Sequence, residues 1–170
     1  MKKTVKRMIA SVLMIVLMLS MTACGEVTET PSVNFGFKNV DSAADYNESL
    51  TSFEVGKRFY TCVKIQLITD KKKAQDYTVR IAVPKTNEVE VKGMGGLEPD
   101  KIDWDEENQQ TIMEFTVQGY KEATAEKILF YGTPTGEGEA KITVEIFDKD
   151  GEEINAGYSR TVFFVYELQE

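Results

Sequence analysis

The chain has 170 residues, with 28 acidic and 20 basic side chains, a net charge of −8 and no histidine. The acidic excess disfavours nucleic acid and anionic lipid as partners, because affinity for either comes from Lys and Arg that neutralise negative charge. The lack of histidine removes the commonest general base, the usual zinc ligands and every histidine-dependent triad. The composition therefore favours a protein that is not an enzyme, with no catalytic residues and no cofactor.

The first 23 residues have the order of a secretory signal. A basic head with Lys2, Lys3, Lys6 and Arg7 precedes the uncharged, mostly apolar run from Met8 to Ala23. This run has 16 residues, whereas roughly 20 are needed to cross a bilayer. A cleaved N-terminal signal helix is therefore favoured over a membrane-spanning helix.

The end of this leader, Leu19-Ser20-Met21-Thr22-Ala23-Cys24, resembles the lipobox of bacterial lipoprotein signal peptides. The resemblance implies cleavage after residue 23 and a lipid on Cys24, which would anchor the mature chain to the extracytoplasmic side of the cell membrane. Ordinary signal-peptidase cleavage is the alternative, but Met21 fits poorly where that site requires a small residue. Cleavage removes four basic and no acidic residues, so the net charge becomes −12.

The mature chain divides into a short tether and one domain. Residues 24–32 are polar and include Pro31, which is typical of a flexible tether. The eight residues after Cys24 span at most about 28 Å, so the domain must stay close to its membrane. Residues 33–170 are predicted to form a single domain, in which Cys62 is a buried small hydrophobic residue rather than a reactive thiol.

From residue 33 onward, apolar residues alternate with a period of two, which predicts β-strands. The alternating segments are Val33–Phe37, Val63–Leu67, Tyr77–Val83, Val89–Val91, Thr111–Val117, Ile128–Tyr131, Ala140–Ile146 and Tyr158–Tyr166. A hairpin turn is predicted at Asp150-Gly151, between the last two strands. Seven or eight strands without a covering helical layer predict an all-β antiparallel sandwich, with a closed barrel as the alternative.

Three segments resemble the immunoglobulin-like repeat domains of bacterial surface proteins: FYTCVKIQLITDKKKAQDYTVRIAVP, IDWDEENQQTIMEFTVQGY and GEAKITVEIFDKDGEE. In those domains a strand ends at a proline, here Pro84, and a Trp-Asp turn precedes the next strand, here Trp104-Asp105. The resemblance covers roughly Phe59 to Glu170. It implies an immunoglobulin-like β-sandwich that binds or spaces rather than catalyses.

The only tryptophan, Trp104, lies in an acidic segment predicted to be one polar loop. It could be an exposed platform for a sugar ring or a partner protein, but a position in the core is favoured. The surrounding carboxylates could supply the acid and base of a polysaccharide-acting enzyme: Asp103, Asp105, Glu106 and Glu107. A water-exposed loop would leave both pKa values ordinary, which disfavours that function.

Alternate carboxylates in the last hairpin suit calcium, which prefers hard oxygen ligands: Asp148, Asp150, Glu152 and Glu153. The EF-hand register fails, because aligning Gly151 with the glycine of that loop puts Ile146 at the first ligand position. A solvated acidic hairpin is therefore favoured, and no residue is assigned to a metal. A calcium-stabilised carbohydrate-binding sandwich stays open as an alternative.

Two further segments have alternative interpretations. Phe163 and Val165 lie in a run that is apolar on both faces of its strand, and coverage by residues 38–57 is favoured over a partner protein. Lys71-Lys72-Lys73 could contact lipid head groups, but a solvated loop is favoured. The sequence thus predicts a membrane-anchored extracytoplasmic lipoprotein that acts as a non-enzymatic interaction module, with an envelope protein or glycan as partner. A carboxylate-dependent envelope enzyme is the alternative from another class.

Overall fold

The computed structural model describes residues 31–39, 45–67, 75–91, 97–119, 125–154 and 157–167. Within these residues the chain forms ten strands and no helix. The strands are β1 (Ser32–Lys38), β2 (Ser52–Glu54), β3 (Phe59–Gln66), β4 (Asp76–Pro84), β5 (Thr86–Val91), β6 (Lys101–Asp105), β7 (Gln110–Gln118), β8 (Ala125–Pro134), β9 (Gly138–Phe147) and β10 (Tyr158–Val165).

The strands form two sheets, one of four strands in the order β1-β3-β8-β5 and one of six in the order β2-β10-β9-β4-β7-β6. Every pairing is antiparallel except that of β2 with β10, which is parallel. The predicted all-β immunoglobulin-like sandwich is confirmed, as two open sheets rather than a closed barrel. All eight predicted strands are present, and β2 and β6 are additional.

The core lies between the two sheets, because each strand turns its apolar alternate residues inward. Val79, Ile81 and Val83 of β4 are fully buried. At one end four aromatic rings pack together, with centroids 5.4 Å apart for Phe37 and Phe53, 5.0 Å for Phe53 and Phe59, and 5.6 Å for Phe59 and Phe164. Burying each of these rings contributes about 1.5–3 kcal/mol to the free energy of folding. The contacts of Phe53 in this cluster therefore stabilise the packing of the three-residue strand β2.

A single residue, Lys85, connects β4 of the six-stranded sheet to β5 of the four-stranded sheet. Its φ of 54° is a left-handed backbone conformation that non-glycine residues rarely adopt. Its carbonyl accepts hydrogen bonds from the N–H and the hydroxyl of Thr135, and its Nζ donates to the carbonyl of Glu137 at 2.7 Å. These bonds hold the backbone in the conformation that joins the two layers.

Cys62 lies on the outer face of the four-stranded sheet yet is buried. It faces Gly36 of β1, and a Cβ atom on that glycine would lie 2.8 Å from the Cβ of Tyr46. The segment carrying Tyr46 is fixed there by two backbone hydrogen bonds between Asn47 and Phe37. The prediction that Cys62 is buried is confirmed, and this burial raises the pKa of its thiol.

Several predictions fall outside the described residues. These are the signal helix, Cys24 with residues 25–30 of the tether, and Lys71-Lys72-Lys73. Within the part of the chain that the structure describes, no helix is long and apolar enough to span a membrane.

Candidate interaction surface

Strand β6 ends the six-stranded sheet and pairs with β7 alone among the described strands. Its Ile102 and Trp104 stand opposite Met113 and Thr111 of β7, both of which are buried. Residues directly opposite each other in an antiparallel pair point to the same face of the sheet. Ile102 and Trp104 therefore point to the inner face, toward the layer that the core occupies.

Although they lie on the inner face, these two side chains are only partly covered: Ile102 is 44% exposed and Trp104 is 42% exposed. The six-stranded sheet is two strands wider than the other, and the smaller sheet's edge strand β5 approaches β7. Among the described strands of the smaller sheet, none packs against β6 as β5 packs against β7. The expectation that Trp104 lies in the core is wrong, because its strand extends beyond the opposite layer. We call the pair Ile102 and Trp104 the β6 ledge.

The opposite side of β6 is charged. Lys101 and Asp103 form an ion pair there, and the hydrogen bond from Lys101 to Asp103 raises the pKa of the lysine. Asp103 and Asp105 thus belong to a strand, and only Glu106 and Glu107 follow in the turn, which corrects the prediction of one polar loop. The amphipathic strand places its apolar residues on one side and its charges on the other.

Asp105 ends β6 and organises the turn that follows. Its carboxylate accepts hydrogen bonds from the backbone N–H of Asn108 at 3.1 Å, from the Asn108 amide at 2.8 Å and from the Gln110 amide at 3.0 Å. These bonds, above all those from Asn108, lower the pKa of Asp105. A general acid of a glycosidase requires a raised pKa, so Asp105 does not fit that role.

The same turn is joined to the body of the domain. The backbone N–H of Lys85 donates to the carbonyl of Gln109 at 2.8 Å, and Gln109 itself has a φ of 51°. The β6–β7 turn is therefore hydrogen-bonded to Lys85, the residue that connects β4 to β5. Pairing with β7 and the bond to Lys85 therefore hold the β6 ledge in place.

The hairpin between β9 and β10 uses its carboxylates within the turn. One Asp148 side-chain oxygen accepts the backbone N–H groups of Asp150 and Glu152 at 2.9 and 3.0 Å, and Lys149 pairs with Asp150 at 2.5 Å. Gly151 has a φ of 81°, which confirms the predicted turn. Among the described residues no group of three or more His, Cys, Asp or Glu side chains is arranged to hold a metal ion.

A second exposed aromatic residue, Phe163, lies on the outer face of β10 and is 44% exposed. The expectation that residues 38–57 cover it is wrong for the described part of that segment. Strand β2 instead adds to the sheet beside β10, with Ser52 opposite Phe163, and so extends the layer without covering its face.

No protein-family model matches the sequence, and a comparison with curated proteins finds no relative. Several solved structures share the fold. The C-terminal domain of the Streptococcus agalactiae AgI/II polypeptide BspA matches with a TM-score of 0.50 at 10% identity, over 79% of this chain and 50% of that chain. A CARDB domain from Pyrococcus furiosus, solved with two metal ions, matches with a TM-score of 0.46 at 16% identity, over 79% of this chain and 89% of that chain.

A cohesin module from a Clostridium perfringens family 33 glycoside hydrolase matches with a TM-score of 0.44 at 15% identity, over 79% of this chain and 98% of that chain. Domains of bacterial surface proteins are thus among the structures that this chain resembles. At these identities the similarity establishes the fold alone. The chain is an immunoglobulin-like β-sandwich.

Proposed function

We propose that this chain is an extracytoplasmic lipoprotein, anchored to the cell membrane through Cys24, and that its sandwich is a non-enzymatic module that binds a protein partner through the β6 ledge. The observation that carries the proposal is the exposure of Ile102 and Trp104 on the inner face of an edge strand. Tryptophan is enriched at the centres of protein interfaces, where its burial supplies a large share of the binding energy.

The strand that carries the ledge also offers backbone groups. One side of β6 is unpaired within the described part of the chain, so its N–H and C=O groups could bond to an added strand. An extended segment of a partner pairing with β6 would place its own alternate side chains over Ile102 and Trp104. Such a partner would complete the layer that the smaller sheet leaves open.

The neighbouring structures are compatible with this type of activity. They include a cohesin, a domain of a streptococcal AgI/II polypeptide and a cohesin–dockerin complex from Clostridium thermocellum. The proposal for this chain rests on its own exposed residues, since those similarities establish the fold alone.

The binding proposal is tested by retention of envelope proteins on the chain lacking residues 1–23. Trp104→Ser should abolish the retention of a specific partner, because it removes the largest side chain of the ledge. Phe163→Ser is the matched control, since Phe163 is equally exposed on the same sheet but lies on its other face. Equal retention by both variants and the parent would contradict the proposal.

The anchor is tested separately. Cys24→Ala should abolish incorporation of radiolabelled fatty acid into the protein and release the domain from the membrane fraction. Unchanged labelling or unchanged membrane retention would mean that Cys24 does not carry the anchor.

A further inference from the structure

The outer face of the four-stranded sheet carries a concentration of positive charge. Lys64 of β3 and Lys127 of β8 stand directly opposite each other, and Lys38 of β1 stands opposite Tyr60 of β3 on the same face. Arg58 joins them, with its guanidinium 4.6 Å from the centroid of the Tyr131 ring. We call Lys38, Arg58, Lys64 and Lys127 the basic face.

The pairing of Lys64 with Lys127 is unfavourable within the isolated domain. Like charges directly opposite each other on neighbouring strands are destabilising. Both side chains are exposed, and no carboxylate of the described residues forms an ion pair with either of them. The two lysines therefore place adjacent positive charges on the surface, which a negatively charged partner would stabilise.

Three of these lysines lie near the buried thiol of Cys62. Burial is the main influence on the pKa of the Cys62 thiol and raises it, while the positive charges of Lys64, Lys127 and Lys38 act to lower it.

The two outer faces of the sandwich have opposite charge. Among the described residues, Glu88 and Glu90 of β5 lie on the same outer face, with Glu90 accepting a hydrogen bond from Tyr131, and Glu48 lines a pocket with Lys64. By strand register, the described part of the six-stranded sheet's outer face carries three basic side chains and seven carboxylates: Arg80, Lys101, Lys141, Glu54, Asp76, Asp103, Asp105, Glu114, Glu139 and Glu145.

The acidic side does not cancel the basic face at short range. Packed sheets lie about 10 Å apart, and the side chains on both outer faces bring the separation to about 20 Å. This exceeds two Debye lengths at physiological salt, which are about 8 Å each. A negatively charged surface in contact with this sheet would therefore meet the four cations together with the carboxylates of Glu48, Glu88 and Glu90, a local excess of one positive charge.

We infer that the basic face docks on the anionic phospholipid surface of the membrane that holds the chain, an inference that rests on the proposed anchor at Cys24. The four-stranded sheet begins at Ser32, directly after the tether, so a lipid on Cys24 would keep this sheet within about 28 Å of the bilayer. Tyrosine side chains are enriched at membrane interfaces, and the half-buried Tyr131 lies beside Arg58 on this face. Docking in this orientation would turn the acidic face away from the membrane.

The test uses the full lipoprotein, reconstituted into vesicles of phosphatidylcholine alone or with phosphatidylglycerol. Amine acetylation of each lysine is read by mass spectrometry. We expect Lys64 and Lys127 to be protected only in the vesicles with phosphatidylglycerol, and the protection to disappear at high salt. Lys141, exposed on the opposite face, is the internal control and should react equally in both vesicles.

Equal acetylation of Lys64 and Lys127 in the two vesicles would overturn the inference. Protection that arises in neutral vesicles and grows with protein density would also overturn it, because it would indicate a second copy of the chain on this face. The double variant Lys64→Glu with Lys127→Glu should lose the phosphatidylglycerol-dependent protection of Lys38, whereas Lys141→Glu should keep it. Each neutralised lysine should weaken docking about fivefold. Failure of the anchor would be seen independently, as loss of the protein from the vesicles.

Discussion

Adjacent residues of β10 provide a direct test of the strand register, because Phe164 and Phe163 have the same side chain on opposite faces. Phe164 is 1% exposed, with its ring centroid 5.6 Å from that of Phe59 and 6.5 Å from that of Phe53, whereas Phe163 is 44% exposed. Replacing a buried phenylalanine by alanine costs about 3–5 kcal/mol, since it removes transfer free energy and leaves a cavity. An exposed phenylalanine should cost below about 1 kcal/mol.

Urea unfolding of the chain lacking residues 1–23 measures this difference. Circular dichroism is the suitable probe, because the only tryptophan is already 42% exposed and should report unfolding weakly. With a denaturant dependence of about 2 kcal/mol per molar urea, Phe164→Ala should lower the midpoint by about 2 M and Phe163→Ala by less than about 0.5 M. A one-residue slip of the strand would exchange the two side chains between faces. Equal or reversed losses would therefore refute the register.

Three other substitutions or reactions test the packing and the electrostatics. Gly132→Ala would place a Cβ 2.5 Å from the Thr86 methyl carbon and should destabilise the domain by about 1–3 kcal/mol. Gly136→Ala is the control, because its Cβ would meet no atom within 4 Å. Equal urea midpoints for the two variants would contradict the Gly132 contact. In the chain lacking residues 1–24, where Cys62 is the only cysteine, its thiol should react with a disulfide reagent at pH 8 far more slowly in the native state than in guanidinium, since Cys62 is buried and burial raises its pKa. Rapid reaction in the native state would show that the thiol is accessible. Asp105→Ala should lower the melting temperature at neutral pH. The difference from the parent should vanish as the pH falls below 3.8, the ordinary pKa of an aspartate, and through the lowered pKa of Asp105 in the folded state. A difference independent of pH would exclude the carboxylate charge as its cause.

The long strands could be predicted because their patterns are local. Ala140 to Ile146 alternates without interruption, and each of its apolar residues faces the core in β9. The Asp150-Gly151 pair likewise requires a turn through its own backbone preferences. Such features depend on neighbouring residues alone, so they can be read from one sequence.

The interaction surface could not be predicted in the same way. Ile102 and Trp104 do alternate with charged residues, but five residues rich in carboxylates are also typical of a solvated loop. Whether an inward-pointing residue is buried depends on how far the opposite sheet extends, which is a property of the whole fold. The basic face arises in the same manner, since Lys64 and Lys127 are distant in sequence and meet only through the pairing of β3 with β8.

The proposed partner site is tested most directly by a photo-crosslinking amino acid placed at position 104 or at position 163 of the full chain in living cells. The two positions are similarly exposed on the same sheet, so a crosslinker at either one can reach a neighbouring protein equally well. We expect a discrete crosslinked protein from position 104 and none from position 163. Identical crosslinking from both positions, or none from position 104, would contradict the proposal that the β6 ledge binds a protein partner.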